Sequence, residues 1–164
     1  MESLQPDFSK QVETYLAYFE LINANIVEPL IERTNESRSI RGYDKKIDFV
    51  RNLISKLGKN NQTDYKTVFF LQGMNGMLRN ALVHNNYYIK DKNLIYYRTN
   101  PWKQKVEFRE MPLSEFTRLS GFTFFQRLIF NIICGLRFGN VSLEQVKELS
   151  SKKIIKMASH DKKE

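Results

Sequence analysis

The sequence is poor in the residues that bind transition metals or form disulfides. A single cysteine, Cys134, excludes an internal disulfide, and it lies in the apolar run FNIICGL, so we expect a buried thiol in a reducing compartment. The two histidines, His84 and His160, are far apart in the sequence, and with one cysteine they do not supply a zinc ligand set. We therefore predict neither a metal nor a cofactor.

Phosphate-loop, nucleophile-elbow and membrane-spanning patterns are also missing. Gly73 and Gly76 lack the following Lys-Ser or Lys-Thr pair of a phosphate loop, and no nucleophile elbow is present. The longest apolar run, FTFFQRLIFNIICGL, is interrupted by Gln126 and Arg127 and falls short of the roughly 20 apolar residues that cross a bilayer. Its expected place is a core helix. The first ten residues do not resemble a secretory signal, so a cytoplasmic protein without a membrane partner is predicted.

Positive charge is in excess. The chain has 26 basic and 18 acidic residues and a net charge of +8, which favours polyanions such as RNA, DNA or an anionic membrane. Part of this excess lies in the last 15 residues, SSKKIIKMASHDKKE. That segment fits a solvated tail as well as a nucleic-acid-binding arm.

Apolar residues recur at spacings of three and four in four segments, which predicts four long helices. The first covers residues 8–30, with a kink or a break at Pro29, and the second covers 47–57 and ends at Gly58. The third runs without interruption over about 65–84, and the last over 116–136.

Between the last two helices, YYIKDKNLIYYR indicates a β-hairpin, and KVEFRE is a possible third strand. The predicted fold is therefore mainly all-α: a four-helix up-down bundle with a small β-hairpin inserted between the third and fourth helices. In this scheme, residues 1–140 form the bundle, with the insertion at about 87–110. Residues 141–164 form a C-terminal helix and basic tail.

The third helix contains the candidate site, in the stretch GMLRNALVHNNYY. On a helical wheel, Leu71, Leu78 and Leu82 share a core stripe, whereas Gly73, Asn80 and His84 lie almost opposite. Arg79 is about 140° from His84 by the same geometry, too far for direct contact on one helix. If the glycine and asparagine face met its own copy across a two-fold axis, Arg79 of one subunit could approach His84 of the other.

These residue types suit RNA cleavage, because RNA carries its own nucleophile in the ribose 2′-hydroxyl. Histidine titrates near neutrality and can shuttle the proton, while arginine can bind two phosphate oxygens as negative charge develops. Asn80, one turn before His84, could hold the imidazole or a phosphate oxygen. No metal ion is required.

The segment RNALVHNNY, at the end of a helix in a basic helical chain, resembles the HEPN superfamily, with Arg79, Asn80 and His84 matching its motif. The resemblance implies a metal-independent endoribonuclease that acts as a homodimer with a composite site. It also implies a role in toxin–antitoxin, phage-defence or abortive-infection systems, and a possible antitoxin or other regulatory protein as partner. Two alternatives remain open: a non-catalytic HEPN-like module that binds a nucleotide or a protein, and a helical scaffold that adheres to nucleic acid through its charge.

Overall fold

The computed structural model describes residues 6–34, 40–58, 64–100 and 105–139. The chain divides into two compact units, one ending at Phe124 and one beginning at Phe125. Within the described segments, five α-helices precede a three-stranded antiparallel sheet, and a sixth helix follows it. The fold is therefore mixed α/β. The prediction of a mainly all-α four-helix bundle with a hairpin between its third and fourth helices is wrong.

The first helical pattern is interrupted a few residues before Pro29, and not at the proline itself. Helix α1 spans Pro6–Ile22, a π-helical segment follows at Asn23–Val27, and α2 spans Glu28–Glu32. Pro29 lies in the first turn of α2, where the missing N–H would have no partner within the helix in any case. The predicted interruption near Pro29 is thus confirmed. A wide helical turn, rather than a sharp kink, joins the two helices.

Helix α3 spans Tyr43–Gly58, so the predicted second helix and its end at Gly58 are confirmed. Its apolar stripe, Ile47, Val50 and Ile54, is buried to 5% exposure or less.

The predicted third helix is two helices. Helix α4 spans Asp64–Leu71 and α5 spans Gly76–Val83, with a turn at Gln72 and Gly73 between them. Glycine stabilises a helix interior poorly, and asparagine is among the best N-cap residues, so Gly73 and Asn75 together favour ending one helix and starting another. The helical wheel drawn over 65–84 therefore does not apply. Leu71, Leu78 and Leu82 are all buried, but Leu71 belongs to α4 and the other two belong to α5.

A meander of three strands replaces the predicted hairpin. Strand β1 spans Tyr87–Lys90, β2 spans Asn93–Asn100 and β3 spans Lys105–Pro112, so the possible third strand is confirmed. The turn between β1 and β2 contains only Asp91 and Lys92, both at positive φ, as in a type I′ turn. Strand β2 packs against α5, with Leu94 and Tyr96 buried.

Aromatic side chains of α1 are at the centre of the first unit. Tyr15, Tyr18 and Phe19 are fully buried, and the ring of Phe116 lies 6.1 Å from that of Tyr15. Because Phe116 belongs to the helix after the sheet, this cluster joins the amino-terminal helix to the far end of the unit's sequence.

Helix α6 spans Leu113–Arg137 and is longer than the apolar run that predicted it. By length and composition alone it is a candidate membrane span, the single one among the described residues, and core helices of soluble proteins meet the same criterion. Only 17% of its most apolar window is buried, so the expectation of a core helix fails over much of its length. Its exposed apolar side chains are Phe124, Phe125, Leu128, Ile133 and Leu136. The predicted C-terminal helix and basic tail, 141–164, lie outside the described residues.

Candidate active site at the carboxyl end of the fifth helix

The amino end of α5 is capped by the chain's own side chains. The Asn75 Oδ1 accepts a hydrogen bond from the Leu78 amide at 2.9 Å. The Asp44 Oδ1 accepts from the amides of Gly76 at 2.9 Å and Met77 at 3.3 Å. Three of the four amides that a helix start leaves without helical partners are thereby satisfied, and a carboxylate already faces the positive end of the helix dipole. This end does not serve as the candidate site.

Gly76 is required by the close approach of α3. A Cβ atom at position 76 would lie 2.7 Å from both the Tyr43 Cβ and the Asp44 Oδ1, closer than non-bonded atoms come. A glycine in this stretch does allow another backbone to approach closely, as predicted. That backbone belongs to α3 of the same chain, however, and not to a second copy. The predicted dimer face of Gly73 and Asn80 is also broken, because Gly73 lies in the turn before α5.

The carboxyl end of α5 is open. His84 is the C-cap residue, and its amide donates the last helical bond to the Asn80 carbonyl at 3.1 Å. Asn85 follows in the left-handed conformation, with φ of 55°, and the Asn86 amide donates to the Ala81 carbonyl at 2.8 Å. This bonding is that of a Schellman motif, in which asparagine can replace the usual glycine. The His84 side chain is exposed and makes no hydrogen bond or ion pair with any residue that the structure describes.

Arg79 points away from that end and is held on three sides. Its Nε and Nη2 donate to the Glu20 Oε1 at 2.8 and 2.6 Å, and its Nη1 donates to the Asn80 Oδ1 at 3.1 Å. The guanidinium carbon lies 4.6 Å from the centre of the Tyr43 ring, a cation–π distance. The Arg79 side chain is 16% exposed, against 50% for Glu20.

Of the three predicted site residues, Arg79 and Asn80 are thus in contact, while the imidazole of His84 contacts neither of them through a hydrogen bond. Glu20 and Tyr43 were not predicted. Glu20 is 59 residues before Arg79, and nothing in its local pattern distinguishes it from other polar residues of α1. A surface glutamate next to a core phenylalanine is ordinary, so the sequence offered no signal for this contact.

Buried tyrosines surround the amino end of α5. The hydroxyl of Tyr15 donates to the Asn75 carbonyl at 3.3 Å and accepts from the Asn75 amide at 3.1 Å. Burial raises the pKa of Tyr15 well above its usual range, although the backbone bond to Asn75 opposes the shift. Burial also raises the pKa of Tyr96, and a hydrogen bond from the Asn75 side chain acts against it. These neutral hydroxyls hold the loop before α5 in place.

No known relative identifies the site. Comparisons of the chain with protein-family models, with curated proteins and with solved structures found no match.

Arg79 and His84 nevertheless carry groups that suit phosphate chemistry. The three bonds of Arg79 leave one N–H on each terminal nitrogen without a partner among the described residues, and two N–H groups can bind two phosphate oxygens. His84, one turn after Asn80, adds an exposed imidazole, a group that can both accept and donate a proton. In the described part of the chain, no group of three or more histidine, cysteine, aspartate or glutamate side chains could hold a metal ion.

Proposed function

We propose that this protein is a metal-independent endoribonuclease of the HEPN type. It acts as a homodimer whose composite site contains Arg79, Asn80 and His84. The observation that carries the proposal is the exposed imidazole of His84 at the end of α5, one turn after Arg79 and Asn80. A histidine kept for structure is normally buried or hydrogen-bonded, and His84 is neither among the described residues.

In the proposed reaction, the His84 imidazole takes the proton of a ribose 2′-hydroxyl, which attacks the adjacent phosphorus. The bond from phosphorus to the 5′-oxygen breaks, and the departing oxygen receives a proton from the imidazolium. The product is a 2′,3′-cyclic phosphate. The guanidinium of Arg79 binds the non-bridging oxygens, whose negative charge increases in the transition state.

The proposed dimer brings an Arg79 and a His84 together, which a single subunit does not do. On a helix, side chains five residues apart diverge by about 140°, and the Arg79 side chain is turned toward α1 and α3. A second copy related by a two-fold axis would bring its own His84 to Arg79. In the cell, such an enzyme would act as a toxin or phage-defence effector, restrained by an antitoxin or regulatory protein until needed.

The central test compares His84→Ala with Val83→Ala, its exposed neighbour on the same helix. In excess EDTA, the wild-type protein and Val83→Ala should cleave single-stranded RNA and leave cyclic phosphate ends. His84→Ala should be about a hundredfold slower or worse, because a lost proton shuttle typically has that effect. Its melting temperature should not change, since substitutions at exposed, unbonded positions alter stability by about 0.5 kcal/mol or less. Cleavage by folded His84→Ala at the wild-type rate would disprove the proposal.

Mixing inactive variants tests the composite site. His84→Ala and Arg79→Gln should each be inactive alone, and after unfolding and refolding together they should regain activity, because a mixed dimer contains one intact pair. Up to about a quarter of wild-type activity is expected when the subunits combine at random. No recovery, in a sample that sedimentation shows to be dimeric, would mean that each site lies within one subunit.

One observation favours a second candidate, a HEPN-like module that binds a nucleotide or a protein and cleaves nothing. The carboxylate of Glu20 already neutralises Arg79, as in a structural ion pair. If purified protein cleaves no RNA but binds nucleotides in a manner that depends on Arg79, this candidate replaces the first.

A further inference from the structure

One face of the sheet is more exposed than the other among the residues that the structure describes. Strand pairing aligns Tyr88 with Ile95, Ile95 with Glu110, and Tyr97 with Phe108. Paired residues lie on the same side of a sheet, and alternate residues of a strand share a side. Tyr88, Ile95, Tyr97, Val106 and Phe108 therefore lie together, and we refer to these five as the aromatic face.

The two sides of the sheet differ sharply in exposure. Leu94 and Tyr96, on the side that packs against α5, are 0% and 4% exposed, whereas Tyr88 and Phe108 on the aromatic face are 46% and 58% exposed. The rings of Tyr97 and Phe108 are neighbours, with centroids 5.7 Å apart. Aromatic rings that only stabilised the sheet would be expected on its buried side. Three of them on the open side form a surface that a flat ligand can cover.

Two of the cations of the sheet adjoin this surface. The sheet segments 87–100 and 105–112 contain five lysine or arginine residues against three carboxylates. Arg98 is paired with Glu107 at 2.6 Å and lies 3.7 Å from Asp44. Among the described residues, the other four cations have no ion pair; they are Lys90, Lys92, Lys105 and Arg109. Strand pairing places Lys105 opposite Asn100 and Arg109 opposite Tyr96, so these two lie on the side that packs against α5. The aromatic face therefore has available positive charge at one end, from Lys90 on the same side and Lys92 in the adjoining turn.

The aromatic face is joined directly to the candidate catalytic end of α5. The Tyr97 amide donates to the carbonyl of Asn86 at 3.0 Å, and Asn86 follows His84 by two residues. Only Asn85 and Asn86 separate His84 from the start of β1. A ligand on the aromatic face would therefore lie on a strand that is hydrogen-bonded to the backbone beside His84.

We propose that the aromatic face binds single-stranded RNA, with unpaired bases stacked on Tyr88, Tyr97 and Phe108 and the phosphates near Lys90 and Lys92. Every base has a flat apolar surface, so stacking on rings binds single strands with little sequence preference. A duplex hides those surfaces between its base pairs. This inference rests on RNA being the substrate, and it adds that the substrate is unpaired where it meets the sheet.

The test measures binding with His84→Ala protein, so that RNA is not consumed. The probes are a labelled adenosine oligomer of about 12 nucleotides and a duplex of the same length. The single strand should bind more tightly, and Phe108→Leu and Tyr88→Leu should each weaken that binding about fivefold or more, because each removes one stacked base. Phe108→Tyr should bind like the parent, since it keeps the ring. Ile89→Ala, which removes exposed apolar surface from the other side of β1, serves as the matched control and should have no effect.

Several outcomes would overturn this inference. Equal affinity for the duplex would do so, as would binding unaffected by the leucine variants. If Phe108→Leu instead converts a dimer to a monomer in sedimentation, the face is a contact between copies and not an RNA surface. A different result would refute the proposed nuclease function. In that case, the wild-type protein would bind single-stranded RNA in a manner that depends on the aromatic rings, but it would never cleave the RNA. If the protein cleaves RNA but its binding does not depend on the rings, only the proposed role of the aromatic face is refuted.

Discussion

The two parts of α5 are built in opposite ways. In the first turn of α5, the amides of Asn75, Gly76 and Met77 are bound by Tyr15 of α1 and Asp44 of α3, and the Arg79 side chain is bound by Glu20 of α1. From His84 onward, the backbone is closed by its own Schellman bonds and the imidazole has no partner among the described residues. We refer to these as the closed part and the open end.

The difference separates stability from chemistry. Groups of the closed part are fixed by interactions that unfolding would break, so substitutions there should lower the free energy of unfolding. A side chain at the open end contributes little to that free energy. A substitution there should therefore leave the fold intact. Arg79 is the exception, because it belongs to the closed part and is proposed to act with the open end.

The largest expected effect concerns this exception. Glu20→Gln keeps Arg79 and its hydrogen-bonding geometry, so RNA cleavage should stay within about tenfold of the wild-type rate. The double variant Glu20→Gln/Arg79→Gln leaves no unpaired charge and should fold as well as Glu20→Gln. Cleavage by the double variant should nevertheless fall about a hundredfold or more, because the transition-state cation is gone.

Chemical denaturation of the same proteins supplies the control. Arg79→Gln alone should be the least stable of the set, by about 1–3 kcal/mol relative to wild type, since Glu20 and Tyr43 lose their partner. Equal cleavage by Glu20→Gln and by the double variant would assign Arg79 wholly to the closed part.

The next effect is on stability. Gly76→Ala should destabilise the protein by about 1–3 kcal/mol, because the added methyl group meets Tyr43 and Asp44 at 2.7 Å and α3 must move. Gly121→Ala is the matched control. Its Cβ would meet nothing within 4 Å, and alanine favours a helix over glycine by about 1 kcal/mol, so this variant should be more stable than wild type. Urea unfolding compares the two, and equal stability would show that the approach of α3 tolerates a side chain.

A smaller loss is expected at the cap. Asn75→Ala removes the acceptor for the Leu78 amide and should lower the free energy of unfolding by about 1 kcal/mol. Asn75→Ser retains a capping oxygen and should recover most of that loss in the same denaturation experiment. If serine is no better than alanine, the hydrogen bond to Tyr96, and not the cap, is the stabilising contact.

The smallest effect appears only in alkaline solution. Burial raises the pKa of Tyr15 and of Tyr18, so the folded state favours their neutral forms. Stability from these groups is complete below the unfolded pKa of about 10 and is lost as the pH rises above it. At pH 10 the loss should be about 0.4 kcal/mol for each tyrosine, because half of the unfolded tyrosines are ionised there. Tyr15→Phe should reduce this dependence in urea unfolding, whereas the exposed Tyr88→Phe should not.

Local patterns in the sequence predicted local structure well. The apolar stripe of α3, the break near Pro29 and all three strands follow from spacing and residue type, which act over a few residues. The continuous third helix was wrong because apolar residues keep the helical spacing across Gly73 while Asn75 caps a new start. The pattern of apolar residues alone does not distinguish one long helix from two short ones in succession. The predicted four-helix bundle was also wrong, because the sheet packs on α5 and contributes to the core that was expected to consist of helices alone.

For the candidate site, too, the local part was predicted and the long-range contacts were not. Arg79, Asn80 and His84 are close in sequence, and the motif that joins them was visible there. Their environment was not, because Glu20 and Tyr43 come to Arg79 from other helices, and a contact across 59 residues depends on the packing of the whole unit. Gly76 is a similar case. A glycine in this stretch suggested that another backbone approaches closely, but the sequence did not identify that backbone as α3.

The meander of the sheet has a consequence for the order of folding. Each strand pairs with its neighbour in the sequence, so the sheet closes only short loops as it forms, whereas Tyr15 must find Asn75 across 60 residues. Local contacts form faster than distant ones, and a chain that refolds from a denaturant should therefore assemble the sheet before α1 docks on α5. During that interval Arg79 has not yet met Glu20, and the aromatic face is already present.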